Sequence, residues 1–303
     1  MELQGILPTM ITPFDENGAL DLLSLENETN FLIENGVNGV VPLGAAGEFS
    51  SLSMEEMKKV VEVTVQAAKN RAAVVVGVAA TGTDVALDFA KYVEKAKADA
   101  IMLQPTFYLG KVPEAIYAHF KKIASAIKIP ICIYDNPKAT GTKFSPNFVS
   151  RLQSEFSNIK YLKVSSDIFE ECLPEMVQVI KGKMKTFIGV DQFVVPALAR
   201  GVEGVMTGLC TVAPKECGEM LKLVREGNVE RAYEIFFKLL PYIGVAETGP
   251  MFWYRQCMKS VLKGYGVIKT DCVRLPLVQM DEVRKTELKR TVAYAGLYYK
   301  YKK

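Results

Sequence analysis

The chain has 303 residues, 49% of them hydrophobic, with 37 basic and 34 acidic side chains and a formal net charge of +3. That length and apolar content suit one large domain, or a domain with an appendage, whose core needs no staples. The even charge balance argues against nucleic acid or a membrane surface as partner, and six cysteines (Cys132, Cys172, Cys210, Cys217, Cys257, Cys272) without a CxxC pair argue against a disulfide frame.

The opening "MELQGILPTMITPF" has an acid at Glu2 and Pro8 within its apolar run, unlike a signal peptide. No apolar run reaches the roughly 20 residues of a membrane span, so a soluble, cytoplasmic protein is expected. Short β-branched runs then follow one another: "GILPTMIT", "GVVPLG", "AAVVVGV", "DAIMLQP", "IPICIYD", "IKYLKV", "MKTFIGV" and "EGVMTG". Most are separated by stretches with the three-to-four-residue apolar period of a helix. In "SMEEMKKVVEVTVQAAKN", Met54, Met57, Val60 and Val61 share one face. Others are "TDVALDFAKYVEKAKA", "EAIYAHFKKIASAI", "PNFVSRLQSEF", "FEECLPEMVQVIKGK" and "QFVVPALARG".

Strand and helix in alternation mean parallel strands joined by right-handed crossovers. Repeated to residue 225, the pattern predicts a closed (β/α)8 TIM barrel carrying the active site, followed over 226–303 by a C-terminal helical appendage. An open doubly wound sheet would carry a phosphate fingerprint at its first turn, and neither GxGxxG nor GxxxxGK[ST] is present. The basic end "YYKYKK" reads as a solvated tail.

In such a barrel, chemistry belongs at the C-terminal strand ends. Those ends carry Gly44 to Glu48, Tyr108, Tyr134, Lys163, Gly189 with Asp191, and Gly208. Alternation along "IKYLKV" puts Tyr161 and Lys163 on one face and Leu162 and Val164 on the helix-facing other, so Lys163 should point into the barrel mouth. A neutral amine there is a nucleophile towards a carbonyl carbon, although a strand-end lysine also snorkels to solvent. Tyr134 ends the neighbouring strand, within reach of the amine, and can move protons or merely pack. The glycines of "LGAAGEFSSLS" permit a tight loop whose N–H groups suit a carboxylate. The single histidine, His119 in "YAHF", rules out a His-rich zinc site and suits the core or surface. No metal or cofactor is expected.

Together these residues resemble the Schiff-base (class I), pyruvate-handling aldolases of the dihydrodipicolinate synthase and N-acetylneuraminate lyase superfamily, over nearly the whole chain. The G-x-x-G-E loop falls on Gly44 to Glu48, Y-x-x-P-x-x-T-G on Tyr134 to Gly141, G-x-D on Gly189 to Asp191, and "RLPL" on Arg274 to Leu277. The resemblance implies that Lys163 condenses with a 2-oxo acid such as pyruvate. It implies that Tyr134 shuttles protons and that amides near Ala45 and Ala46 hold the carboxylate. Tyr108, Ser165, Gly189, Asp191, Gln192, Val205 and Gly208 would be further substrate contacts, and a homotetramer is the expected assembly.

Departures from the pattern bear on substrate. Ala45 and Ala46 stand where a Thr or Ser hydroxyl would orient Tyr134, so the proton relay must differ or use water. Ala139, beside Lys138, stands where dihydrodipicolinate synthases carry an arginine, and lysine does not replace a guanidinium fork. The loop "QPTFYLGKVPEAIYAHF" is one residue longer than usual, leaving Phe107 and Tyr108 both open as the neighbour-subunit tyrosine's counterpart. Gln192 and Gly208 replace an acid and a serine of the sialic acid lyases, whereas Ser165 matches a hydroxyl of sugar-acid aldolases. The expected activity is therefore a lyase cleaving or forming a 2-oxo-3-deoxy sugar acid, with pyruvate as product or donor. Alternatives are dihydrodipicolinate synthase, a dehydratase using the same imine, a non-catalytic ligand-binding barrel, and a magnesium-assisted barrel using Glu48 and Asp191.

Overall fold

Eight β-branched runs form eight strands in the computed structural model, which describes residues 1–108, 112–166, 169–247 and 252–301. They are β1 (Gly5–Ile6), β2 (Gly39–Val40), β3 (Ala73–Val78), β4 (Ala100–Leu103), β5 (Ile131–Asp135), β6 (Ile159–Val164), β7 (Lys185–Ile188) and β8 (Gly204–Val205). Every pair is parallel, in the order β1-β8-β7-β6-β5-β4-β3-β2. The ring closes between β1 and β2 through the Thr9–Val41 bridge, where Val41 N donates to Pro8 O at 2.9 Å and Met10 N to Val41 O at 3.0 Å. This is the (β/α)8 barrel the alternation predicts. β1 and β2 are shorter than their apolar runs because Pro8 and Pro42 have no N–H to give a ladder.

Side chains sort by the period of two. Leu7, Val41, Val75, Met102, Cys132, Tyr134, Tyr161, Phe187 and Met206 form a buried cluster inside the barrel. The opposite faces join a larger apolar layer under the helices. Crossover helices include Met54–Ala68, opened by a Ser53–Glu56 capping box, with Val60 and Val61 fully buried. A helix the apolar pattern did not single out, Leu22–Glu34, links β1 to β2, its start capped by the Asp21 carboxylate, which accepts from Ser24 N. Its apolar face is interrupted by Ser24, Asn27, Glu28 and Thr29, all buried, which blurs the period.

After the crossover helix Pro214–Arg225 come Val229–Glu247, Phe252–Gly264 and Glu282–Tyr294. The terminal segment is solvated only in part: Tyr298 and Lys300 are exposed, but Tyr299 and Tyr301 are half-buried against the body. Tyr299 packs edge-on to Phe31 at 5.6 Å and against Tyr265 at 5.1 Å, while Tyr301 N donates to Tyr265 O at 3.0 Å. Aromatic area outweighs the basic character there. His119 is a buried structural residue: Nε2 donates to Gln104 O and Nδ1 accepts from the Thr83 hydroxyl, both at 3.1 Å. Among the described residues, no helix is long and apolar enough to cross a membrane.

Candidate active site

At the C-terminal end of the barrel lies a cavity of about 470 Å³, whose lining includes Ala45, Ala46, Tyr134, Ser165, Gly189 and Gln192. Lys163 is not itself in that lining but lies directly behind it, against the lining residues Tyr134 and Gly189. Its side chain comes from the last turn of the pleat in β6, points inward with Tyr161, and is only 3% exposed. Tyr134 is its register partner on β5, and Nζ stands 4.2 Å from the centre of the Tyr134 ring. Gly189 is required by this packing: a Cβ there would meet Ser165 Oγ at 1.9 Å and Lys163 Cε at 2.6 Å. Ser165 donates to Gly189 O at 3.1 Å, which ties the ends of β6 and β7 together beside the amine.

The loop after β2 is bent by two non-glycine residues in the left-handed region, Leu43 at φ 58° and Glu48 at φ 53°. Between them Ala45–Gly47 form one 3₁₀ turn, closed by Gly47 N donating to Gly44 O at 3.0 Å. Ala45 and Ala46, the first two residues of that turn, border the cavity, and the leading N–H groups of such a turn suit a carboxylate. Gly77 in β3 makes room for the bend, since a Cβ there would sit 2.1 Å from Leu43 O.

Alanines at 45 and 46 have no hydroxyl to offer Tyr134. Asn136 Nδ2 donates to the Tyr134 oxygen at 3.0 Å, leaving the phenol's own proton to be directed elsewhere. Asn136 also borders the cavity. Its contact with Tyr134 is not evident in the sequence, where it is only an unassigned position between Tyr134 and Pro137.

Asp191 is 1% exposed and is not part of the cavity lining. Its carboxylate accepts from Leu209 N at 3.1 Å and from the Tyr254 hydroxyl at 3.0 Å, and Tyr254 in turn accepts from Gly208 N at 2.9 Å. Burial pushes the Asp191 carboxyl above its ordinary range, against the Leu209 N–H, the Thr207 and Tyr254 hydroxyls and the Lys163 charge. Burial also drives the Tyr254 phenol well above its ordinary value, reinforced by the Asp191 charge, so it stays protonated at neutral pH. Gly208 touches the cavity lining only through Tyr254, whose hydroxyl a Cβ would meet at 2.4 Å. Val205 is fully buried in β8 and does not border the cavity either. Tyr108 is 81% exposed outside the lining, whereas Phe107 packs edge-on to Phe49 at 6.3 Å.

Tyr254 and Arg255 border the cavity from the helix Phe252–Gly264. No sequence pattern singles these two residues out as facing the barrel mouth. Leu240, Ile243 and Ala246 of Val229–Glu247 complete an aliphatic wall. Glu48 faces an ion pair with Lys259 and Asp191 its hydrogen bonds with Leu209 and Tyr254, so both carboxylates are already engaged by protein groups. Among the described residues, no group of three or more His, Cys, Asp or Glu is placed to hold a metal ion. The chemistry on hand is an inward amine, a phenol beside it, and a tight loop of small residues at the cavity wall.

A family model described as "Dihydrodipicolinate synthetase family" matches residues 2–295. The 4-hydroxy-tetrahydrodipicolinate synthase of Methanocaldococcus jannaschii is 34% identical over 300 residues, covering 97% of this chain and 99% of the relative. That of Methanococcus vannielii is 31% identical over 297 residues, with the same two coverages of 97% and 99%. Among solved structures, the dihydrodipicolinate synthase of Aquifex aeolicus superposes with a TM-score of 0.90 at 29% identity, covering 97% of this chain and 99% of its own. A prophage protein of the dihydrodipicolinic acid synthase family from E. coli K12, solved in complex with pyruvate, superposes with a TM-score of 0.92 at 26% identity, covering 97% and 99%.

Proposed function

The chain belongs to the dihydrodipicolinate synthetase family, and from that premise we propose that it condenses pyruvate with an aldehyde through an imine on Lys163. The observation that carries this is the Lys163 amine, inward and 3% exposed, 4.2 Å from the Tyr134 ring. The amine adds to the pyruvate carbonyl and expels water, with the pyruvate carboxylate on the Ala45–Ala46 amides. Loss of a C3 proton gives an enamine, whose carbon bonds to the aldehyde carbon while the aldehyde oxygen takes up a proton through Tyr134. Hydrolysis of the imine returns the water and the lysine.

The relatives' shared name supports aspartate semialdehyde as acceptor over a sugar-acid lyase, the reading preferred from sequence. A sugar-acid activity keeps one observation in its favour: Asn136, Ser165, Gln192 and Tyr254 offer the cavity several groups able to hydrogen-bond a polyol. The assembly we propose is a homotetramer in which the exposed Tyr108 packs on a neighbouring copy.

The deciding experiment has two parts. Pyruvate plus borohydride should leave a secondary amine on Lys163 alone, and Lys163→Arg should abolish it, since a guanidinium stays protonated. Product formation from pyruvate and aspartate semialdehyde is then compared with pyruvate release from 2-oxo-3-deoxy sugar acids. Trapping at another lysine, or none, rejects the mechanism; faster pyruvate release than condensation rejects the acceptor.

A further inference from the structure

We infer that Asn136 is a positioning residue for proton transfer: its carboxamide steadies the negative charge that builds on the Tyr134 oxygen as that phenol gives up its proton. This rests on the proposed roles of Lys163 and Tyr134. Asn136 Nδ2 donates to the Tyr134 oxygen at 3.0 Å, and the two residues, 8% and 3% exposed, both border the cavity.

Asn136 precedes the short helix Pro137–Thr140, a place where an asparagine ordinarily uses its side chain to cap the first turn. Here that side chain makes no capping bond. The backbone oxygen closes the turn instead, accepting from Thr140 N at 3.0 Å and from the Thr140 hydroxyl at 2.9 Å. The main chain thus fixes the residue, and the carboxamide turns to Tyr134. The other hydroxyls of the cavity lining are engaged elsewhere: Ser165 donates to Gly189 O at 3.1 Å and Tyr254 to Asp191 at 3.0 Å.

As C3 of the enamine bonds to the aldehyde carbon, the aldehyde oxygen takes the Tyr134 proton and a phenolate is left. The water that hydrolyses the imine returns one proton to that oxygen and one to the lysine nitrogen. A hydrogen bond to an ionised acceptor is roughly twice as strong as one between neutral groups. The Asn136 bond therefore tightens as the proton leaves, and a contact stronger in the transition state than in the ground state raises kcat rather than lowering KM.

The test follows condensation of pyruvate with aspartate semialdehyde in Asn136→Leu, Asn136→Asp and Asn136→Gln, with Asn136→Leu also combined with Tyr134→Phe. Asn136→Leu should lower kcat about 10- to 100-fold, with the aldehyde KM little changed and borohydride trapping of pyruvate intact. Asn136→Asp keeps the size but, once ionised, can only accept, so it should do no better. Asn136→Gln, which restores a donor, should recover part of the loss. In the Tyr134→Phe background Asn136→Leu should cost little more, because the oxygen it serves is gone. A full further loss in that background, or wild-type kcat in Asn136→Asp, would overturn the inference. So would a raised KM at unchanged kcat, which assigns Asn136 to the substrate itself. Absence of trapping in wild-type protein would reject the Lys163 reading and this inference with it.

Discussion

Lys259 Nζ stands 2.5 Å from Glu48 Oε1, and neither side chain has any solvent exposure. The ammonium also donates to Cys272 O at 2.7 Å and rests 4.2 Å from the centre of the Phe14 ring. Glu48 accepts in addition from Arg274 N at 3.2 Å. The pair thus joins the loop carrying Ala45 and Ala46 to the C-terminal helices that supply Tyr254 and Arg255. Desolvation pulls the Lys259 ammonium below its usual range, and the Glu48 charge opposes it.

Breaking this pair from one side should destabilise strongly, because it strands a buried charge. Glu48→Gln or Lys259→Met alone should cost about 3 to 5 kcal/mol. The double variant should be less destabilised than the sum of the two, since no charge is left unmatched. Chemical denaturation of the four proteins measures the coupling. Additive losses would show that the two charges do not depend on each other.

Glu56 gives the fold a sensitivity to acid. Its two oxygens accept from Arg274 at 2.6 and 2.9 Å, and that hydrogen bonding holds the carboxyl down at about 2. The unfolded chain takes up the proton near the ordinary value of about 4.3. Stability is therefore present above that value and is lost as pH falls towards 2. With both side chains 20–25% exposed, the contribution is about 1 to 2 kcal/mol rather than the full linkage value. Glu56→Gln should flatten the stability curve across that window; an unchanged slope would assign the acid limb to other groups.

Asp135 acts with the opposite sign. It follows Tyr134 but is 3% exposed, and burial raises its carboxyl to about 7 despite the Phe144 N–H at 3.4 Å. Between about 4 and 7 the folded chain keeps a proton that the unfolded chain has released, so stability falls as pH rises. The ceiling on that loss is about 4 kcal/mol. Asp135→Asn keeps the acceptor for Phe144 and removes the charge. It should be more stable than wild type at pH 8 and similar at pH 4, by thermal denaturation; a variant less stable at pH 8 would show that the carboxylate is needed.

The barrel and its lysine were legible because both depend on local rules. Strand and helix periods are short-range patterns, and the period of two along β6 decides which way Lys163 faces once Leu162 and Val164 are given to the helices. Tyr134 followed from adjacency of β5 and β6, which the register bears out. Gly77 and Gly189 were visible as glycines, but only the packed chain shows that one admits the Leu43 carbonyl and the other the lysine stem. Tyr254 and Arg255 were not legible as cavity residues, because they arrive from a helix distant in sequence whose docking no local pattern encodes. Tyr299 and Tyr301 were misread because a basic run hides how much aromatic area lies between its lysines.

Tyr134→Phe separates proton transfer from imine formation. The ring stays beside Lys163, but the hydroxyl that accepts from Asn136 is gone. Turnover should fall about 10²- to 10⁴-fold, the usual size of a general acid–base contribution, while trapping of pyruvate by borohydride still proceeds. A variant with near wild-type turnover would remove Tyr134 from the relay and direct attention to Tyr254.

Gly189→Ala tests whether the position of the amine, rather than its presence, sets the rate. The added methyl would sit 1.9 Å from Ser165 Oγ and 2.6 Å from Lys163 Cε, with the Val164 carbonyl at 3.1 Å. The two nearest atoms lie on side chains that can turn away, whereas the carbonyl is only mildly crowded, so the barrel should fold. Relief must come by rotating Ser165 off Gly189 O and by pushing the lysine stem away from the β7 side. A displacement near 1 Å is enough to lose about 10²-fold in rate. Gly189→Ala should accordingly keep a cooperative thermal transition while trapping pyruvate at least about tenfold more slowly. Adding Ser165→Ala should restore little, because the Cε contact remains. If Gly189→Ala traps pyruvate at the wild-type rate, the lysine reaches its carbonyl from another direction than the one its packing indicates.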